Sequence, residues 1–179
     1  MRNRPRIAFL AVFLACAMLI GIAIAMQTQL GLEPCPMCIL QRYAFIAIGL
    51  VALVAAIHGP SGGVMLRVYA ALLIVVAIAG GGTSLRHSYL QHFPPAVETC
   101  GTDLEFLLNA FPLAQALPKI FAGSASCSKV DWKMLGLSIP EWAFVWFVLI
   151  AIAAAWAGFF ANKNAARGAA SSAASRAAT

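Results

Sequence analysis

Glu33-Pro34-Cys35-Pro36-Met37-Cys38-Ile39-Leu40-Gln41-Arg42-Tyr43 puts two cysteines, two prolines and an arginine directly ahead of an apolar run that continues to Ile57. Two thiols separated by two residues can close a small disulfide or share a metal. Pro36 suits the first turn of a helix, so the helix carrying the apolar run is expected to begin at Cys35 or Pro36. The dipole at such a helix start favours thiolate over thiol. Arg42 lies four residues after Cys38, on the same helical face one turn deeper, where its permanent charge would add to that effect.

Working outward, the composition sets the environment of this segment. The chain has 179 residues, 62% hydrophobic and 10% charged, with a mean hydropathy of +0.87. Soluble domains carry roughly 25% charged residues, so this is a membrane protein. The net charge of +6 does not indicate nucleic-acid binding, because the basic residues are few and scattered and are better explained as flanks of membrane spans.

Four apolar stretches match the roughly 20 helical residues that cross a bilayer: 7–26, 39–57, 64–83 and 142–161. The expected fold is therefore an all-α membrane protein, a four-transmembrane-helix bundle forming one domain over residues 1–161. Arg2, Arg4 and Arg6 with the apolar run and Ala23-Ile24-Ala25 also spell a secretory signal, but the run is as long as a full span and is read as uncleaved. Arg2, Arg4, Arg6, Arg67, Lys163, Arg167 and Arg176 fall on one side of a four-span arrangement and all six acidic residues on the other. The basic side is expected to be cytoplasmic, with both termini inside and the loops 27–38 and 84–141 outside. The Ala/Ser-rich tail 162–179 reads as disordered. Within the long loop, Leu104 to Phe121 carries apolar clusters, few charges and two prolines, which fits a short amphipathic helix on the membrane surface or ordinary loop packing.

Of five cysteines, Cys16 is mid-span and reads as a small hydrophobe. The other four, Cys35, Cys38, Cys100 and Cys127, fall on the outer side, where disulfides persist. Three pairings are open to them. The Cys35/Cys38 spacing favours a local pair, which leaves Cys100 with Cys127. A zinc site usually wants two close pairs, and Cys100 and Cys127 are single, so no metal is expected. Two structural disulfides are the blander reading, although a Cys-x-x-Cys bridge closes too short a loop to stabilise much. Tyr43, Trp132 and Trp142 read as interfacial belt residues. Gly80-Gly81-Gly82 reads as a site of close helix packing.

Cys35-Pro-Met-Cys38-Ile-Leu-Gln-Arg42, the later Cys100 and Cys127, and Trp132-Lys-Met-Leu-Gly-Leu-Ser-Ile-Pro140-Glu-Trp142 together resemble the DsbB family. These are the quinone-dependent disulfide bond formation proteins of bacterial inner membranes. The likeness covers all but the tail. It implies a dithiol:quinone oxidoreductase whose cofactor is ubiquinone or menaquinone and whose partner is a periplasmic thioredoxin-fold protein similar to DsbA. It implies that Cys100 forms the mixed disulfide with that partner and that Cys127 passes the exchange to Cys35. Cys38 would face the quinone, with Arg42 assisting, and His87 matches a histidine the family places near it. The resemblance also implies the pairs Cys35–Cys38 and Cys100–Cys127. Pro36-Met37 departs from the two apolar residues common between such cysteines, which leaves the potential of the pair open. Two competing readings are a vitamin K epoxide reductase-like enzyme and a non-catalytic membrane adaptor with two structural disulfides.

Overall fold

A computed structural model of the chain describes residues 4–31, 34–60, 63–94, 118, 125–128 and 132–160. Four helices among them are long and apolar enough to cross a membrane: Pro5–Leu30, Pro36–His58, Gly63–His92 and Ile139–Gly158. The full elements are α1 (Arg4–Leu30), α2 (Pro36–His58), α3 (Gly63–His92), the single turn α4 (Ala125–Ser128) and α5 (Ile139–Ala155), which ends in a π-helical turn over Trp156–Phe160. A two-stranded antiparallel hairpin, β1 (Lys133–Met134) with β2 (Leu137–Ser138), precedes α5 and pairs Met134 with Leu137. The four-span bundle is the architecture expected from the hydropathy. The segment 104–117 of the expected amphipathic helix, Cys100 and the tail 161–179 lie outside the described residues.

Each helix is bounded by readable chemistry. Pro36 starts α2 with Cys35 as N-cap, and the Cys35 carbonyl accepts from the Ile39 N–H at 3.2 Å. Gly59 stops α2 in the left-handed conformation at φ 59°, with its N–H bonded to the Ala55 carbonyl at 2.9 Å. At the other end of the bundle Ser138 caps α5 and Glu141 reaches back to it, a capping box.

One boundary differs from the sequence expectation. The span expected to close at Thr83 continues as helix to His92, so residues 84–92 belong to α3 and not to an outer loop. The reason is the helix's inward stripe. Ala70, Leu73, Ala77, Gly80, Ser84, His87 and Leu90 are all buried and recur every three or four residues. Polar residues on that stripe lower the average hydropathy but find partners inside the bundle. α5 likewise begins at Ile139, three residues earlier than its expected span.

α3 is the central element, packed on α2 and α5, while α1 packs on α2. The core between them holds Phe9, Cys16, Phe45, Ile48, Leu73, Phe147 and Ile150. Cys16 is buried in that core, as a small hydrophobe should be. Phe45 and Phe147 stack at 4.1 Å between centroids with only 10° between planes. Gly80 lies under the Phe147 ring, where a Cβ would collide with it. Close helix packing is thus the role of this glycine. Outward-facing Leu14, Ile57, Val75 and Ile152 are each more than half exposed, as side chains facing lipid are.

Candidate redox centre

The start of α2 sets the positions of the two sulfurs. Cys35 stands at the N-cap and Cys38 in the first turn, and Met37 between them is fully buried and faces the packed side. The two sulfurs lie within 4.8 Å of each other, close enough for either a disulfide or a shared ligand. The imidazole of His87 reaches them from the inward stripe of α3. Its Nε2 is 3.6 Å from Cys35 Sγ and its Nδ1 is 3.9 Å from Cys38 Sγ. The side-chain amide of Gln41, one turn along α2 and itself buried, lies 3.4 Å from His87 Nδ1. Because α3 runs on to His92, His87 sits on a rigid helix, and both ring nitrogens have partners from α2.

Cys127 belongs to the same neighbourhood. It lies on α4, is 1% exposed, and packs in a small cluster with Cys35, Met37 and Leu90. Cys35 and Cys127, 92 positions apart in the sequence, are therefore brought into one cluster. Cys100, expected to pair with Cys127, lies outside the described residues.

Arg42 is anchored on α1. Its Nη1 donates to Gln27 Oε1 at 2.7 Å and its Nη2 to the Ala23 carbonyl at 3.3 Å, both on α1. The guanidinium therefore bridges α2 to α1 and is held at the edge of a cavity of about 500 Å³. One wall of this cavity is Met18, Ile22, Ala23 and Met26 from α1; another is Trp142, Ala143 and Trp146 from α5; Phe45 lies on the α2 side. Cys35, Cys38, Gln41, Arg42, His87 and Gln91 supply its polar side. A cleft of this size, apolar with a few convergent polar groups, is the usual form of a small-molecule site.

The roof of the cavity was not foreseen from the sequence. Leu135 and Gly136, at φ 55° and 83°, form the two-residue turn of the β1–β2 hairpin. The hairpin brings Trp132 and Met134 over the cavity, and Trp142 Nε1 donates to the Met134 carbonyl at 3.0 Å. Trp132 and Trp142 thus line the site and are more than an interfacial belt; Tyr43, 61% exposed, does face outward. The Leu-Gly dipeptide inside the Trp132–Trp142 stretch was the available signal. Gln41, three residues after Cys38, and Gln91, four residues after His87, were also missed, although their helical spacing from those residues was available as a signal.

Glu141 fastens this roof to α3. Its carboxylate accepts from the Ser138 N–H at 2.6 Å and the Ser138 hydroxyl at 3.0 Å, and also from Ser88 Oγ at 3.3 Å and His92 Nε2 at 3.1 Å. Glu141→Ala should cost about 1 kcal/mol of stability, the usual cost of a lost cap, and lower the melting temperature in detergent by a few degrees. Glu141→Gln, which keeps an acceptor, should recover part of that loss.

A bundle of membrane-spanning helices that holds a thiol pair and an imidazole against an apolar cavity defines a class: membrane proteins that carry out dithiol–disulfide chemistry. Comparison with known proteins narrows the class to a family. The family model described as DsbB, disulfide bond formation protein DsbB, matches residues 5–157. The chain is 54% identical over 147 residues to disulfide bond formation protein B of Aromatoleum aromaticum, covering 82% of this chain and 88% of that one. It is 48% identical over 155 residues to the protein of the same name from Azoarcus sp. strain BH72, covering 87% and 92%. Against that of Stutzerimonas stutzeri it is 44% identical over 153 residues, covering 85% and 93%. The chain belongs to the DsbB family and is a multi-pass, disulfide-forming membrane oxidoreductase.

Proposed function

We propose that this protein reoxidises a periplasmic DsbA-like dithiol protein and passes the electron pair, through Cys100–Cys127 and then Cys35–Cys38, to a membrane quinone. The observation that carries the reading is the shared position of Cys38, His87 and Arg42 on the polar side of an otherwise apolar cavity, with Cys127 buried against Cys35 behind it. The charge distribution supports an inner-membrane orientation with both termini cytoplasmic and the reactive cysteines periplasmic.

The exchange balances as follows. A partner thiolate attacks Cys100 of the Cys100–Cys127 disulfide, and Cys127 leaves as thiolate. The partner's second thiol closes its own disulfide and releases Cys100. The Cys127 thiolate attacks Cys35 of the Cys35–Cys38 disulfide, and the displaced Cys38 thiolate is left facing the cavity. Attack of Cys100 on Cys127 restores that disulfide and leaves Cys35 and Cys38 as a dithiol. His87, beside both sulfurs, can hold a proton displaced at either one.

The cavity fits a quinone head: aromatic and aliphatic walls take the ring, and Arg42, Gln91 and His87 are the groups that would hold its oxygens. When bound, ubiquinone or menaquinone supplies a lipid-soluble acceptor for two electrons and two protons. Arg42 contributes a fixed positive charge where negative charge would develop on an oxygen, and the apolar walls exclude water around it.

The test is anaerobic quinone reduction, followed by absorbance, with purified protein and a reduced DsbA-like partner. Catalytic loss of quinone is expected. No reduction by the unmutated protein would overturn the reading and leave the cysteine pairs as structural staples of an adaptor. Arg42→Ala removes a charge-assisted hydrogen bond worth about 1.5–3 kcal/mol, so the half-saturating quinone concentration should rise roughly ten- to hundredfold.

A further inference from the structure

We infer that the dithiol form of this centre is a zinc site, with Cys35 Sγ, Cys38 Sγ and His87 Nε2 as protein ligands, and that oxidation of the pair abolishes it. The three side chains each present a donor atom, and these atoms all lie within 4.8 Å of one another. Zn–S and Zn–N bonds of about 2.3 and 2.0–2.1 Å in a tetrahedron put S···N at about 3.5 Å and S···S at about 3.8 Å. The observed Cys35 Sγ to His87 Nε2 separation of 3.6 Å already meets that spacing. Cys38 Sγ stands 3.9 Å from Nδ1, the other ring nitrogen, so ligation requires the Cys38 side chain to turn toward Nε2.

Two further features favour a cation there. Gln41 lies at 3.4 Å from His87 Nδ1, the nitrogen that zinc would not use. Its amide can turn its oxygen to accept the Nδ1–H, which fixes the tautomer that leaves Nε2 free to ligate. The second feature is charge. Cys35 is 7% exposed and His87 2%, so two thiolates together would place two negative charges in a buried site. Binding of Zn²⁺ by two thiols releases two protons and leaves a neutral centre, which a low-dielectric site accepts. Among the described residues three donors converge, so these supply three of the four positions of a tetrahedral site.

The site depends on redox state by construction. Formation of the Cys35–Cys38 disulfide removes two electrons and two protons and turns both thiolate ligands into a bridge with no charge to offer. Metal binding and oxidation of the pair are therefore mutually exclusive. On the reading given under Proposed function, zinc would arrest the cycle at its reduced stage; the metal site itself does not depend on that reading.

Reduced, detergent-purified protein titrated anaerobically with Co²⁺ tests the site directly. One cobalt per chain is expected, with thiolate-to-cobalt charge-transfer absorption and tetrahedral d–d bands, both removed by one equivalent of Zn²⁺. The oxidised, unmutated chain should show neither, and this comparison involves no variant that could misfold. Cys100→Ser/Cys127→Ser should keep the bands, Cys38→Ser should lose them, and His87→Ala and Gln41→Leu should weaken binding roughly tenfold or more. Absence of thiolate bands in the reduced chain, their persistence in Cys35→Ser/Cys38→Ser, or their loss with Cys100 and Cys127 would each overturn the assignment. Quinone reduction that fails while cobalt still binds would count against the relay and not against the metal site.

Discussion

Cys38→Ala should bring quinone reduction down to the uncatalysed background while leaving the protein folded and in the membrane. The side chain is small and only partly buried, and the cap of α2 is provided by Cys35 and Pro36, so the fold has little to lose. The chemistry loses everything: without a second thiol on the first turn of α2, Cys35 has no local partner with which to form a disulfide. Cys127, packed against Cys35, is then the remaining neighbour, and the variant should accumulate a Cys35–Cys127 bridge visible as a shifted band on a non-reducing gel. Cys100→Ala gives a useful contrast. It should abolish turnover with the protein partner but retain quinone reduction by a small dithiol, because the Cys35–Cys38 pair and the cavity are untouched. A non-catalytic adaptor would show neither pattern, since structural bridges do not turn over. If Cys38→Ala still reduced quinone with the protein partner, Cys38 could not be the group that faces the acceptor.

The contrast between these two cysteines also shows where the sequence was informative. The start of α2 was legible almost to the residue, because Pro at the first helical position and a thiol pair ahead of an apolar run are local signals. The number of spans followed from hydropathy alone. The inward stripe of α3 did not, since hydropathy averages over all faces of a helix and ends a span where polar residues begin. Ser84 and His87 are polar and yet 0% and 2% exposed, because α2 and α5 cover the face on which they lie. A motif likeness suggested His87, but only tertiary packing places its ring between Cys35, Cys38 and Gln41. The roof was hidden for a similar reason. A hairpin of two-residue strands has too little periodicity to be read, and Trp132 before it and Trp142 on α5 carry the same signal as any interfacial aromatic. Arg42 was expected on the face of Cys38 and does line the cavity with it, but its hydrogen bonds go to α1, whose register against α2 no local pattern encodes.

Phe147→Ala should have the largest effect on stability among substitutions away from the cysteines. Phe147 is 1% exposed, stacks on Phe45 and covers Gly80, so it joins α5 to both α2 and α3. In soluble cores Phe→Ala costs about 3–5 kcal/mol, part transfer from water and part the cavity left behind. In a bilayer the transfer part is reduced, because lipid is as apolar as the core, while the lost van der Waals contacts remain. A loss of about 2–4 kcal/mol is therefore expected, measured by reversible unfolding in mixed micelles. A loss below about 0.5 kcal/mol would mean that the bundle is not held together at this stack. Gly80 supplies the internal control. Gly80→Ala alone forces a methyl group into the ring and should cost about 1–3 kcal/mol, the usual cost of overpacking. In a Phe147→Ala background the ring contacts are gone and Ala44 Cβ, 3.0 Å from the added methyl, is the close neighbour left, so the cost should fall well below that of Gly80→Ala alone, the non-additivity of residues in contact. The double variant also separates packing from chemistry. Phe45 lines the cavity and rests on Phe147, so Phe147→Ala should weaken quinone binding by loosening the cavity floor, and Gly80→Ala added to it should leave that affinity low, because a methyl group does not replace the ring under Phe45.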